Sequence, residues 1–279
     1  MTLLGKRQTL NPSGRRLAAS LPLFAERLMR LFILAAFVVL LTGLPAAAQI
    51  GPPQPRAQPQ SYSLGVGLHN AHSRWMPYDY EIDRNRVYVE GSYAVNERLE
   101  AFGRAGGSDW VINDLQTFQP GMGYDVHVDG YPAFFSGGLR GCAWQIGRWS
   151  IGASLEAAWY ASTTKTIRWT WDCYQELYFD STTEITAALP VGFNLGRGVI
   201  YAGPLLHFAY TRADVRTHEF GPDWEIEDHI DDRTIRDKGG WGAFLGWQTP
   251  LGENGWHLDL EGSVLRDGVG GALGFYRAW

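Results

Sequence analysis

Residues 149–160 read Trp-Ser-Ile-Gly-Ala-Ser-Leu-Glu-Ala-Ala-Trp-Tyr, and this stretch decides the fold class. Trp149, Ile151, Ala153, Leu155, Ala157 and Trp159 fall on one face; Ser150, Gly152, Ser154, Glu156, Ala158 and Tyr160 fall on the other. Successive side chains of an extended chain point to opposite sides, so a period of two reads as a strand with one apolar and one polar face. The pattern recurs. Ile185, Ala187, Leu189, Val191 and Phe193 oppose Glu184, Thr186, Ala188, Pro190 and Gly192, and Trp256, Leu258, Leu260 and Val264 oppose His257, Asp259, Glu261 and Ser263.

Working outward, residues 62–279 divide into ten strands with approximate spans 62–72, 85–96, 98–111, 131–146, 149–166, 180–195, 198–217, 234–250, 255–266 and 268–279, with eight and twelve as the neighbouring counts. No helical stripe of useful length interrupts them. A soluble sandwich also buries one face of each strand, so alternation alone does not separate it from a barrel. Loop lengths do. Asn96-Glu97-Arg98, Gly147-Arg148, Gly196-Arg197 and Gly252-Glu253-Asn254-Gly255 follow even-numbered strands, whereas three connections after odd-numbered strands run well past ten residues. Short turns at one end, long loops at the other and an even strand count are the marks of a transmembrane barrel. The expected fold is therefore all-β, a closed antiparallel transmembrane β-barrel.

Aromatic placement gives a second test. An apolar band about 25 Å tall takes about ten residues of a strand tilted by roughly 40°. Trp149 and Trp159 stand that far apart on the outward face, and Trp241, Trp256 and Trp279 fit equivalent rims, which makes these five the expected lipid-interface aromatics. Composition agrees: 34 Gly, 12 Trp, 13 Tyr and 13 Phe accompany only 19% charged residues.

The apolar run Leu31–Leu44 lies between Arg27 and Arg30 on one side and Pro45-Ala46-Ala47-Ala48-Gln49 on the other. It is too short to span a membrane and ends in small residues, so 1–48 reads as a signal peptide cleaved after Ala48. Met29-Arg30 would itself make a normal signal start, which marks 1–28 as an over-extended translation start. Residues 49–61, rich in proline, are expected to trail as a disordered periplasmic tail. The net charge of −5 becomes more acidic on cleavage, since the leader carries Lys6, Arg7, Arg15, Arg16, Arg27 and Arg30 against Glu26 alone. An acidic exported chain is a poor nucleic-acid binder. Cys142 and Cys173, the two cysteines, map to opposite ends of the barrel, so no bridge is expected between them.

The chain ends on an aromatic, and Leu273, Phe275 and Trp279 share a face of the last strand. This resembles the C-terminal signal that outer-membrane barrels present to the barrel assembly machinery, with Arg277 as a departure from the pattern. Together with the Gly-rich strands, it gives 62–279 a resemblance to the small, porin-like bacterial outer-membrane β-barrel proteins. The resemblance implies a place in the Gram-negative outer membrane, with lipid and lipopolysaccharide as neighbours. It identifies a class and leaves activity and oligomeric state open.

If the apolar face meets lipid, the other face places Glu90, Glu100, Arg104, Arg140, Glu156, Glu184, Asp259 and Glu261 in the lumen. Hairpin arithmetic sets Glu90 opposite Arg104 and Arg140 opposite Glu156. A lumen braced by ion pairs and water is the bland reading; a weakly cation-selective pore is the sharper one. Inward Tyr88, Phe102, Phe134, Trp144 and Tyr201 would narrow a cylinder that ten strands already make tight.

Enzymatic barrels are the alternative. The omptin proteases have ten strands and use paired acids with a His-Asp pair, and the segment 218–232, with His218, Glu219, Glu225, Glu227, Asp228, His229, Asp231 and Asp232, has such residues without the omptin spacing; Asp109 and Asp114 stand on another loop. A solvated acidic loop accounts for them, and a divalent cation bridging to lipopolysaccharide is a weaker option. His69-Asn70-Ala71-His72-Ser73 lacks the spacing of the lipid A deacylases and outer-membrane phospholipases. The expectation is a non-enzymatic barrel with a narrow or closed lumen and no cofactor or metal, in a structural, surface-interaction or minor solute-passage role, with a rim-site hydrolase as the alternative.

Overall fold

A computed structural model describes residues 50–76, 80–113, 126–127, 131–168, 173–220, 226–237 and 240–279. The leader falls outside these. Fifteen strands follow in order: β1 (Tyr62–Met76), β2 (Tyr80–Ala94), β3 (Leu99–Asn113), β4 (Val126–His127), β5 (Ala133–Ile146), β6 (Trp149–Tyr160), β7 (Thr163–Arg168), β8 (Cys173–Phe179), β9 (Thr182–Ala188), β10 (Val191–Asn194), β11 (Val199–Phe220), β12 (Ile226–Asp237), β13 (Gly240–Pro250), β14 (Trp256–Leu265) and β15 (Gly268–Ala278).

The wall runs β1, β2, β3, β5, β6, β9 with β10, β11, β13, β14, β15 and closes on itself by antiparallel pairing of β1 with β15 from Ser63↔Ala278 to Ser73↔Gly268. It is a closed antiparallel barrel of ten strands, so the wall itself has no open edge, while β7, paired only with β8 among the described residues, is an edge beyond it. β9 and β10 form one wall strand interrupted at Leu189 and Pro190; proline lacks the amide to continue the ladder, and its carbonyl accepts from Gly152 N at 2.9 Å instead. At the two-residue turn Gly147-Arg148, Gly147 takes φ +56°, a conformation that suits glycine.

Leu64, Val66, Leu68, Val89, Leu139 and Leu155 are exposed on the outer face. On β1 and β2 this belt ends in three direct cross-strand polar pairs on the same face: Asn70 with Asn85 at 2.6 Å, His72 with Asp83 at 2.7 Å and Arg74 with Glu81 at 2.7 Å. An apolar outside around a charged inside is the inverse of a soluble barrel, and it suits a wall wetted by lipid.

Four expectations are corrected by the pairing. The strand expected at 234–250 is two elements, because 234–237 belong to β12 and the wall strand begins at Gly240. Of the segment 218–232, expected as an acidic loop, 218–220 and 226–232 belong to two paired strands: β11 and β12 pair from Tyr210↔Arg236 to Phe220↔Ile226. Residues 221–225 and Asp114 lie outside the described residues, as do the side chains of 217–220 and 226–235. β8 pairs with the other side of β11, Ala213↔Phe179 to Glu219↔Cys173, so β11 runs past the wall between two partners.

A one-residue bulge makes the third correction. Cys142 pairs with Gly152 but Trp144 pairs with Ile151, leaving Ala143 as the extra residue. The bulge turns Trp144 outward, 55% exposed, where strict alternation had placed it in the lumen. The two-residue turn pairs Ile146 with Trp149, and the bulge then sets Arg140 opposite Ser154 and Glu156 opposite Gly138, so turn and bulge together prevent the expected Arg140–Glu156 pair across the hairpin.

Candidate functional site: the charged lumen

All eight charged residues assigned to the interior are buried there: Glu90, Glu100, Arg104, Arg140, Glu156, Glu184, Asp259 and Glu261. They form two layers. Toward the end with the short turns, Glu90 faces Arg104 in register, and Arg104 reaches it through Nε at 2.8 Å while its Nη1 holds Glu156 at 2.8 and 2.9 Å. Arg140 forks onto Glu100, Nε at 3.0 Å and Nη2 at 2.9 Å, and touches Glu90 at 3.0 Å. Gly138, opposite Glu156, leaves room for the Phe102 ring; a Cβ there would stand 2.6 Å from it. That ring lies 4.9 Å from the guanidinium carbons of both Arg104 and Arg140. Tyr201 donates to Asp259 at 2.5 Å and to Glu261 at 3.2 Å.

The second layer lies toward the loop end. Arg84 and Arg86 converge on Glu184, the latter at 2.6 Å, and Tyr160 donates to the same carboxylate at 2.9 Å. Sequence reasoning missed both arginines, although each alternates in phase with inward Glu90. Trp75, Trp110, Phe134, Tyr160 and Phe179 pack above as an aromatic layer, with Trp110 to Tyr160 at 5.7 Å and Phe134 to Tyr160 at 5.6 Å between ring centres.

The largest correction concerns the proline-rich segment. Expected to trail free, residues 50–57 enter the barrel, with 58–60 exposed at its turn end: Ile50 is 2% exposed and packs with Tyr201, Leu205, Phe244 and Leu265. Glu261 accepts hydrogen bonds from Ile50 N at 2.8 Å and Gly51 N at 3.0 Å; Glu100 accepts from Arg56 N at 3.0 Å. The Arg56 guanidinium bridges Glu90 and Asp259, the latter at 2.7 Å, and sits 4.3 Å from the Tyr276 ring centre. Among the described residues the wall buries six carboxylates and four arginines, so Arg56 supplies cation to an interior short of it. The tail reading failed because proline excludes a segment from a ladder without excluding it from a cavity.

Of the interface aromatics, Trp149, Trp159, Trp241 and Trp279 are exposed on the outside, and Trp256 is half-buried, stacked on Phe275 at 4.6 Å. At the chain end Leu273 and Phe275 face out, and Arg277 lies between Trp256 and Trp279, 5.8 and 5.4 Å from their ring centres. The His69–Ser73 string is part of β1, so His69 and Ser73 point inward while Asn70 and His72 point outward; His72 and Ser73 do not meet on one face. Cys142 is a buried free thiol. No cluster that could hold a metal occurs among the described residues.

A closed wall, apolar without and charged within, defines an outer-membrane-type β-barrel protein. No protein-family model and no curated protein matches the chain. It is similar in structure to the outer membrane protease OmpT from Escherichia coli, at 8% identity and a TM-score of 0.41 over 82% of this chain and 96% of that one. The translocator domain of the autotransporter NalP from Neisseria meningitidis gives 11%, 0.45, 78% and 88%. The attachment invasion locus protein Ail of Yersinia pestis gives 13%, 0.29, 78% and 97%. These likenesses concern architecture and carry nothing about activity.

Proposed function

We propose that the protein is a non-enzymatic component of the bacterial outer membrane whose lumen is closed by its own chain and whose role is structural and surface-interactive. On this reading 1–48 is removed on export, the turn end faces the periplasm, the barrel assembly machinery inserts the wall, and the outward tryptophans sit among the headgroups of lipid and lipopolysaccharide. One observation carries the reading: Arg56, from a segment outside the wall, is tied by a guanidinium bridge to Glu90 and Asp259 inside it. An occupant so held narrows the lumen at its turn end, which weighs against minor solute passage. β11, flanked by β8 and β12 beyond the wall, supplies an outward sheet for surface contacts.

The test is planar-bilayer conductance of the refolded mature protein, joined to heat-modifiability and surface proteolysis on intact cells. Silent bilayers, a heat-dependent shift in mobility and cleavage confined to the loop end are expected. Steady ohmic conductance from the unaltered protein overturns the closed lumen. Hydrolysis of peptide or phospholipid substrates that is lost with His229→Ala or Asp228→Ala reverses the choice in favour of a rim-site hydrolase.

A further inference from the structure

Residues 50–60 meet the wall as a ligand meets a receptor. The wall closes through β1 and β15 without them, and Pro52, Pro53, Pro55 and Pro59 have no amide to join a ladder. Ile50–Arg56 are held by side chains of the wall, and Gln60 N donates to the wall carbonyl of Ala94 at 2.7 Å. Glu261 takes the two backbone amides of Ile50 and Gly51, Glu100 takes that of Arg56, and Glu90 with Asp259 takes the guanidinium against Tyr276.

Shape agrees with charge. Pro53 lies over Gly152 and Gly192: a Cβ at Gly192 would stand 3.0 Å from Pro53 Cγ, and one at Gly152 would stand 2.7 Å from Pro53 Cβ. Two inward glycines on neighbouring strands thus leave a hollow that a proline ring fills. A proline-rich chain is already restricted in φ, so it loses less freedom on entering such a hollow than an ordinary peptide does.

We propose that the turn-end half of the lumen is a binding site for an extended, proline-rich peptide carrying one guanidinium, occupied in this structure by the chain's own Ile50–Ala57, and that free peptides of that chemistry compete for it. The inference rests on the closed-lumen reading and adds exchange to it. The segment is held by the Arg56 side chain and by the amides of Ile50, Gly51 and Arg56 on wall carboxylates, and at its exit Gln60 N donates to Ala94 O at 2.7 Å, so leaving exchanges these bonds for those of a competitor. As a tethered occupant it has an effective concentration of about millimolar, so a free competitor acts in that range.

The experiment uses the full mature chain with Ala57→Cys in a Cys142→Ser, Cys173→Ser background, since Ala57 is buried at 9%. Its reaction with a small maleimide is timed in vesicles with and without millimolar free peptide of sequence 50–60, beside the same peptide with citrulline in place of arginine. Slow labelling that accelerates several-fold with the arginine peptide and is unmoved by the citrulline peptide is the expected result. Slow labelling that neither peptide changes, or that both change equally, sinks the inference and leaves the closed lumen standing. Fast labelling without peptide sinks both.

Should Ala57→Cys fail to fold, Arg56→Ala in the full chain serves. Fluorescence anisotropy should then show the labelled arginine peptide binding at least tenfold more tightly than to the unaltered protein, and the citrulline peptide not doing so. Equal binding of the two peptides overturns the proposal.

Discussion

Arg56 donates from Nη2 to the Asp259 carboxylate at 2.7 Å, joining two residues 203 positions apart in the chain, one in a segment with no strand and one in the wall. Asp259 has Tyr201 on its other oxygen at 2.5 Å, so the guanidinium completes a carboxylate that the wall satisfies only in part. Removing one member of a buried ion pair leaves its partner's desolvation uncompensated, which is costlier than the pair is stabilising.

Arg56→Ala is therefore expected to lower unfolding stability in vesicles by about 3 kcal/mol. Arg56→Lys should recover less than half of that, because an ammonium cannot fork between Glu90 and Asp259 as a planar guanidinium does. Denaturant titration of both variants checks it; full rescue by lysine would show that charge alone is needed.

Gly192→Val separates the occupant from the wall. The new Cβ meets Ser150 Oγ at 2.7 Å and the Pro53 ring, with no backbone atom among its nearest neighbours. The barrel should fold and remain heat-modifiable while residues 50–60 are displaced, seen as intermittent conductance or as proteolysis from the turn end. A variant as protease-resistant and silent as the parent would count against Pro53 occupying the hollow.

The two charged layers should behave independently. Glu184→Gln removes the shared partner of Arg84 and Arg86 and is expected to cost about 3 kcal/mol. Combined with Arg56→Ala, the losses should add to within about 0.5 kcal/mol, since Arg56 bridges Glu90 and Asp259 whereas Glu184 is held by Arg84, Arg86 and Tyr160. Glu90→Gln with Arg56→Ala should instead fall short of additivity, because the two touch. Double-mutant cycles read from denaturant curves decide both cases.

Leu139 and Leu155 are cross-strand neighbours on the outer belt. If lipid wets that face, Leu139→Arg costs about 2–4 kcal/mol, whereas Asn70→Arg, beyond the belt, costs about 0–1 kcal/mol. Unfolding in vesicles of defined thickness measures the difference, and equal costs at the two positions would remove the lipid from the picture.

Much of the wall was legible in the chain itself. A period of two is a local property, so Trp149–Tyr160, Ile185–Phe193 and Trp256–Val264 disclosed both strand and face, and short turns such as Gly147-Arg148 disclosed the ends. The inward position of Glu90, Glu100, Glu156 and Glu261 followed from parity. Parity also explains the error at Trp144: one bulged residue, Ala143, reverses the phase, and nothing in the composition of that strand marks where a ladder will skip.

Who pairs with whom was another matter. Arg104 rather than Arg140 serves Glu156, because a guanidinium reaches across neighbouring strands and register alone does not choose among the carboxylates within its span. The destination of Arg56 was hidden more deeply. Its segment has no periodicity to read, and the cavity that receives it, with carboxylates from β2, β3 and β14 and glycines from β6 and β10, exists only once ten strands have closed. Wherever the ladder is unbroken, sequence alone determined which side of a strand faces inward, since that depends on neighbours two residues away; tertiary structure decided where the ladder skips and what fills the interior, since complementarity between a cylinder and its occupant belongs to no single stretch of chain.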